Sequence, residues 1–176
     1  MTKTKWALDT AHSGVEFSVK HMMIANVKGT FNNFNAEIDA DPNDLTTGDI
    51  SFSIDTASID TRNEDRDNHL RSADFFDVEN YPALTFKATE IVSNGDGEYQ
   101  VTGDLTIRDT TNKETFVVTY EGSGKDPWGN EKVGFTVNGK IKRSDYGLTW
   151  NAALETGGVL VGDQIKISLE IQAAKA

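Results

Sequence analysis

The sequence predicts an all-β fold, an eight-stranded antiparallel barrel with one short α-helix near residues 62–72. Apolar and polar residues alternate with a period of two along most of the 176-residue chain, as in strands that bury one face. Turn sequences rich in Asp, Asn and Gly divide this alternation into about eight strands. One stretch breaks the alternation and has helical spacing. At roughly 150 residues per domain, the length predicts one domain over residues 1–176.

The strands are predicted from the residues that share one phase of the alternation. In chain order these are Val15, Phe17 and Val19; Val27 to Ile38; Ile50, Phe52 and Ile54; Leu84, Phe86 and Ala88; Tyr99, Val101, Leu105 and Ile107; Phe116, Val118 and Tyr120; Val133, Phe135, Val137 and Ile141; and Ile165, Ile167, Leu169 and Ile171. Turns are expected at Asp41 to Asp44, Asn94 to Gly97, Gly122 to Gly129 and Gly157-Gly158. The second run changes parity between Phe31 and Phe34, so we expect a β-bulge at Asn32 and Asn33.

Eight short strands of this kind form either a two-sheet sandwich or a closed barrel, and the alternation itself leaves both open. Small residues also occupy the apolar phase, namely Gly29, Ala88, Gly103 and Gly139. Glycine at such positions lets a strand bend at a barrel corner or leaves space in the interior. The small residues therefore favour the barrel.

The helix is predicted where the alternation stops, between residues 61 and 73. Thr61 and Glu64 have the spacing of a capping box, and Asp67 and Arg71 form an acid-then-base pair four residues apart. These signals indicate a helix of about three turns. Pro82 then returns the chain to extended geometry, because the residue before a proline disfavours the helical region.

Composition excludes several classes of protein. The 28 acidic and 17 basic residues give a net charge of −11, which repels nucleic acid and anionic lipid headgroups, so no nucleic-acid partner is expected. The absence of cysteine excludes disulfides, thiolate catalysis and thiolate zinc sites. The longest apolar run, Met22 to Ala25, is four residues long, whereas a membrane span needs about 20, so no transmembrane segment is predicted. The first residues lack the apolar core of a signal peptide, so we expect a cytoplasmic protein.

Longer motifs extend over nearly the whole chain. They are Trp6-x-Leu-Asp9-x-x-His12-Ser13-x-Val15-x-Phe17-x-Val19-x-His21, Gly29-Thr-Phe31, Ser58-Ile-Asp60-Thr61, Arg66-Asp67-x-His69-Leu70-Arg71-Ser72-x-Asp74-Phe75-Phe76-Asp77, Tyr81-Pro82-x-Leu84-x-Phe86, Gly103-Asp104-Leu105-Thr106-Ile107-Arg108 and Arg143-x-Asp145-Tyr146-Gly147. In this order and spacing the chain resembles the YceI-like family of lipocalin-like barrels. It departs from the family at Asp109, where glycine is usual in the turn after Arg108.

The resemblance implies an elongated barrel that encloses an apolar tunnel for a polyisoprenoid chain or a similar long-chain lipid, and it implies a homodimer. The residues predicted to line the tunnel are Phe17, Val19, Phe31, Phe52, Ile54, Leu84, Phe86, Leu105, Ile107, Phe135, Val137 and Ile141. An eight-stranded barrel is wide enough for one slender ligand, and ten buried methylene groups contribute about 8 kcal/mol before ordering costs. The alternative is that these side chains fill a core without a lumen.

Four residues are candidates for a ligand head group or an entrance. His21 follows Val19 in the inward parity, so its imidazole is expected at one end of the barrel, where it contacts either a head group or a loop. Arg66, His69 and Arg71 lie on the predicted helix. The alternative role of these three side chains is to hold the helix in place through their own charge pairs.

The family resemblance, together with the inward apolar residues, implies a non-catalytic protein that binds an isoprenoid or another fatty-chain lipid and sequesters or transports it. No cofactor is required, and neither catalytic nor metal-binding residues are predicted. One alternative is an enzyme that acts on an apolar substrate with His69, Asp67 and His21 as acid-base groups, which must then lie within hydrogen-bond reach of a cavity. The other alternative is an acidic module that binds a basic protein partner.

Overall fold

A computed structural model of the protein describes residues 3–151 and 161–176. Within these residues the chain forms one α-helix and 11 strands. They are β1 Thr4–Leu8, β2 Gly14–His21, β3 Ala25–Phe31, β4 Phe34–Asp41, β5 Asp44–Asp55, β6 Ile59–Asp60, α1 Glu64–Arg71, β7 Ala83–Gly95, β8 Glu98–Ile107, β9 Thr110–Lys125, β10 Glu131–Lys142 and β11 Val161–Lys175. Short 3-10 helices lie at Thr10–His12, Thr56–Ser58 and Arg143–Tyr146. The turn predicted at Gly157-Gly158 lies outside the described residues.

The strands close into an antiparallel barrel with eight positions, as predicted. Strand β1 pairs with β4 on one side and with β11 on the other, which completes a ring of β1, β4, β5 and β7 to β11. Strands β2, β3 and β6 extend the positions of β1, β4 and β5 toward the end of the barrel that carries α1. The sequence pattern missed β1, because a strand of five residues contains too little alternation to stand out.

The parity change between Phe31 and Phe34 is present, but the β-bulge predicted there is wrong. Phe31 and Phe34 are both buried. Asn32 and Asn33 between them belong to no strand, and β3 and β4 pair with different neighbours on each side. The backbone amides of both asparagines donate to Ser58, at 3.1 Å to its carbonyl and 3.0 Å to its hydroxyl. A two-residue break with its own hydrogen-bond partners therefore replaces the bulge.

Helix α1 is confirmed near its predicted position, with a different cap. It contains 8 residues, about two turns where the sequence predicted three. Its N-cap is Asn63, whose side-chain oxygen accepts from the backbone amide of Arg66 at 3.0 Å, so the capping box predicted at Thr61 and Glu64 is wrong. Among the described residues, no helix is long and apolar enough to cross a membrane.

The charge pair predicted between Asp67 and Arg71 does not form. The buried Asp67 carboxylate accepts from the amide and the hydroxyl of Thr61, at 2.9 and 2.5 Å. The Arg71 guanidinium donates to the carbonyls of Ala57 at 2.9 Å and Ile59 at 3.1 Å. Both side chains therefore connect α1 to the adjacent β6 region. Backbone amides and carbonyls that are shielded from water need hydrogen-bond partners, and these two side chains supply them.

Two glycines of the apolar phase lie directly against phenylalanine rings. An ideal Cβ on Gly29 would lie 2.4 Å from Cζ of Phe17, and one on Gly139 would lie 2.2 Å from Cδ1 of Phe116. Phenylalanine rings therefore occupy the space above these glycines, which stabilises the sheet by ring-to-backbone packing. The sequence suggested that glycine here either bends a strand or leaves space in the interior. The second suggestion is wrong at Gly29 and Gly139, because rings fill the space.

We expect Gly139→Ala to destabilise the barrel by about 1 to 3 kcal/mol, because the new methyl group forces the Phe116 ring from its place. Urea unfolding measures this change. Gly134→Ala on the same strand is the matched control, since its Cβ would approach no atom closer than 3.9 Å. Equal stabilities of the two variants would contradict the packing role of Gly139.

Candidate ligand cavity

An apolar cavity of about 260 Å³ lies inside the barrel. Ligand pockets typically occupy roughly 300–1,000 Å³, so this cavity is just below the small end of that range. The wall that the described residues form exposes apolar atoms throughout. The inward side chains of the strands therefore surround a lumen, in contrast to the alternative of a completely filled core.

All twelve residues predicted to line the tunnel contribute to the wall of this cavity. They are Phe17, Val19, Phe31, Phe52, Ile54, Leu84, Phe86, Leu105, Ile107, Phe135, Val137 and Ile141. The structure thus brings them together, while their contact with a ligand stays a prediction. Sequence reasoning missed lining residues outside the strands, chiefly Leu70 on α1, Phe75 and Phe76 after it, and Leu148. Period-two alternation carries no signal for such residues.

Aromatic rings in the wall of the cavity contact one another. The ring of Phe31 lies 5.5 Å from that of Phe17 and 5.7 Å, edge to face, from that of Phe76. The rings of Phe86 and Phe116 meet edge to face at 5.3 Å. Such geometries are favourable between aromatic rings, so these side chains keep defined positions around the lumen.

None of the four head-group candidates is among the residues that line the cavity. The three on α1 bind other protein groups. Arg66 donates to the hydroxyl and carbonyl oxygens of Thr61 at 2.8 and 2.7 Å, and Arg71 donates to the carbonyls described above. His69 contacts Asp74, with 2.9 Å between Nε2 and Oδ2. His21 ends β2, where it is half-buried and pairs in register with Val161. Their role at a head group stays a prediction.

The acid-base groups of the enzyme alternative do not converge on the cavity. Asp67 hydrogen-bonds Thr61, His69 contacts Asp74, and His21 lies at the end of β2. The His69 ring packs against Trp150 and Phe75, with centroids 4.6 and 5.1 Å apart. These contacts place His69 in an aromatic cluster beside the lumen, without an acid-base partner from the predicted set.

Arg143 is a lining residue that sequence reasoning noted only as part of a motif. It is buried, with 6% of its surface exposed, and its guanidinium donates to four backbone carbonyls. These belong to Gly162 at 2.9 Å, Leu148 at 2.6 Å, Trp150 at 3.0 Å and Val161 at 3.3 Å. Burial lowers the pKa of Arg143, while the charge of nearby Asp163 opposes that shift. Arg143 therefore joins the start of β11 to the segment that follows β10.

Tyr146 ends the 3-10 helix Arg143–Tyr146 and packs in the hydrophobic core with Ile141 and Leu148. It is 1% exposed, and its hydroxyl donates to the Glu114 carboxylate at 2.5 Å. Burial raises the pKa of Tyr146, and the hydrogen bond to Glu114 raises it further. Its hydroxyl consequently stays protonated and acts as a fixed donor.

Comparisons with known proteins agree with this architecture. The family model described as YceI-like domain matches residues 6–173. A UPF0312 protein of Staphylococcus epidermidis is 48% identical over 164 residues, which is 93% of each chain. The crystal structure of Burkholderia cenocepacia BcnA is 28% identical, has a TM-score of 0.82 and is matched over 94% of this chain and 98% of that one.

A more distant structure has the same fold. It is a polyisoprenoid binding domain from Saccharophagus degradans, which is 15% identical with a TM-score of 0.74 and is matched over 98% of this chain and 99% of that chain. At this identity the likeness concerns the fold alone. Since the family model covers the barrel from β1 to β11 and close relatives match along its length, the chain belongs to the YceI-like family.

Proposed function

We propose that the protein binds one long apolar chain, such as that of a polyisoprenoid or a similar amphiphile, inside the barrel and so shields it from water. The observation that carries this proposal is the apolar cavity of about 260 Å³, whose wall includes every residue predicted to line it. Burial of a hydrocarbon chain needs no charged group in such a wall. In this role the protein is a carrier or sequestering protein and not a catalyst.

The chemistry of the wall supports a hydrocarbon ligand over a polar one. A polar group placed in an apolar cavity loses its hydrogen bonds to water without replacement, which costs roughly 1–3 kcal/mol by mutational measurements. Each methylene group that enters contributes about 0.8 kcal/mol. The ligand is therefore expected to place its chain in the lumen and its polar head at an end of the barrel.

The proposal predicts that freshly purified protein carries a lipid-sized molecule, or takes one up when it is offered. Native mass spectrometry measures the mass of the occupied protein, and solvent extraction identifies the released molecule. We expect geranylgeraniol and palmitate to bind at a ratio of one to one. Glucose and ATP serve as polar controls and are expected not to bind.

An empty lumen after incubation with both hydrocarbon-chain compounds would contradict the proposal.

The homodimer implied by the family resemblance belongs to the same proposal. Light scattering at several protein concentrations measures it, and a mass of one chain throughout would contradict it.

A further inference from the structure

The turn between β2 and β3 exposes a compact group of large apolar side chains. Met22, Met23 and Ile24, called here the hairpin tip, are 43%, 59% and 82% exposed. In the described part of the chain, the other large apolar side chains with comparable exposure are Val92 and Trp128, which lie apart from it. Exposed apolar groups that cluster at one place mark a contact surface more often than scattered ones do.

The backbone of the tip has two residues in a conformation that side chains with a Cβ rarely adopt. Met22 and Met23 have φ angles of +52° and +61°, and the amide of Ile24 donates to the His21 carbonyl at 3.2 Å. Turns of this geometry favour Asn and Gly, because a side chain with a Cβ is disfavoured at positive φ. Two methionines here add nothing to the turn itself, so their role lies in what they contact.

The tip lies beside one end of the ligand cavity. Val19 on β2 and Val161 on β11 line the cavity, and Val161 pairs in register with His21. The tip begins at the next residue. A surface that contacts the tip therefore also lies close to this end of the lumen.

Five exposed lysines flank the tip on the outer face of β2, β3, β10 and β11, which are neighbours in the sheet. This lysine face consists of Lys20, Lys28, Lys140, Lys142 and Lys166. Three of them share one row across the sheet, since Lys28 and Lys166 both pair with Ser18 and Lys140 pairs with Lys166. None of the five forms an ion pair with a described residue. The acidic residues beside them are Asp163, whose carboxylate accepts from the Ser144 amide, and Glu16 and Asp60, which both pair with Thr30 in the adjacent row.

The local charge is opposite to that of the whole chain. Residues 17–36, which include the tip, contain two lysines and no acidic residue, in a protein with 28 acidic residues and a net charge of −11. At physiological salt the Debye length is about 8 Å, so a surface in contact with the tip experiences these lysines more than the distant carboxylates.

We propose that the hairpin tip and the lysine face together dock the barrel on an anionic lipid bilayer, with the tip among the acyl chains and the lysines at the phosphate headgroups. This inference rests on the proposed function for its purpose, which is transfer of a lipid between the membrane and the lumen. Along a strand that rises about 3.3 Å per residue, the lysine rows lie roughly 7 to 14 Å from the tip. Interfacial apolar groups enter roughly 5–10 Å deep, which brings these rows to headgroup level.

The test measures co-sedimentation with vesicles of equal parts phosphatidylglycerol and phosphatidylcholine, compared with phosphatidylcholine alone. We expect the protein to bind the anionic vesicles more tightly and to be released by high salt. Ile24→Asp, and separately Lys20→Glu with Lys166→Glu, are each expected to weaken binding at least about tenfold. Trp128→Asp is the matched control, because Trp128 is 83% exposed at the opposite end of the barrel.

A second variant separates docking from folding. Met22→Asn with Met23→Gly places favoured residues at the two positive φ angles, so thermal stability is expected to rise while vesicle binding falls. Unchanged vesicle binding by this variant or by Ile24→Asp would overturn the proposal. A loss of vesicle binding in Trp128→Asp, with no loss in the tip variants, would overturn it as well. A change in mass by light scattering on Ile24→Asp, without a change in vesicle binding, would assign the tip to a second copy of the chain and overturn it too.

Failure of the docking proposal differs from failure of the proposed function. Geranylgeraniol delivered from cyclodextrin, without vesicles, should enter wild type and tip variants equally. If geranylgeraniol enters the barrel but the wild type does not bind anionic vesicles, the docking proposal is wrong and the proposed lipid binding is unaffected. If vesicles bind as expected but geranylgeraniol never enters, docking stands and the proposed function is wrong.

Discussion

Val137→Trp is expected to lower the affinity for a hydrocarbon-chain ligand by roughly 50-fold, because an indole that displaces three methylene groups removes about 2.4 kcal/mol of burial. Val137 lies in the middle of β10, opposite Val118 and Leu169, and all three line the cavity. The indole extends into existing space, so the free energy of unfolding should change by less than about 1 kcal/mol. Titration with geranylgeraniol and urea unfolding of the same variant provide the two measurements.

Thr136→Trp is the matched control for this substitution. Thr136 neighbours Val137 on the same strand but faces outward, where its hydroxyl donates to Glu121 at 3.3 Å. Its replacement should leave ligand affinity unchanged. If Val137→Trp instead costs 1 to 3 kcal/mol of stability with no loss of ligand, the ligand does not occupy this part of the lumen.

Arg143→Met should destabilise the protein by at least about 3 kcal/mol, since it leaves four backbone carbonyls without their donor. Each such group costs roughly 1–3 kcal/mol when buried, and entry of water recovers part of that cost. The free energy of unfolding of Arg143→Lys should lie between those of Arg143→Met and the wild type, because an ammonium lacks the planar fork of the guanidinium. Urea unfolding measures the loss, and hydrogen exchange should show reduced protection at the start of β11.

Lys142→Met tests whether the loss of stability in Arg143→Met comes from the position of Arg143 or only from the loss of a positive charge. Lys142 precedes Arg143 but is exposed, so its replacement should change stability by less than about 0.5 kcal/mol. A loss below 1 kcal/mol for Arg143→Met would show that the four carbonyls find other partners, and it would remove Arg143 as the link between β11 and the segment after β10.

Alternation of apolar residues predicted most of the strands and their inward faces, because both depend on which face of a strand a residue occupies. It left a sandwich and a barrel open, and the small residues and the family resemblance favoured the barrel. Val137 and Phe52 illustrate this: their parity along the strand predicted an inward position, and the family resemblance implied that the inward residues surround a lumen, which both residues line. The helix was predicted from its departure from that alternation. Its cap was wrong, since Thr61 and Asn63 are both capable caps and tertiary contacts decided between them.

The features that sequence reasoning missed depend on contacts between distant parts of the chain. Arg143 is a charged residue in a motif, and only the fold shows that four carbonyls converge on it. The glycines suggested either a strand bend or free volume, but the rings that fill the space at Gly29 and Gly139 belong to other strands. Phe75 and Phe76 reach the lumen because α1 directs the chain there, which no local pattern encodes.

The pairing of β1 with β11 has a consequence for how the molecule folds. Trp6 pairs with Lys175 and Leu8 with Ala173, so ring closure joins the first and the last strands of the barrel, which lie far apart in sequence. Contacts of such high sequence separation slow folding, because the entropy of closing a long loop is lost before the contact forms. During synthesis on a ribosome the ring therefore stays open until the final strand has emerged, and the unpaired edges are exposed to other chains for that time.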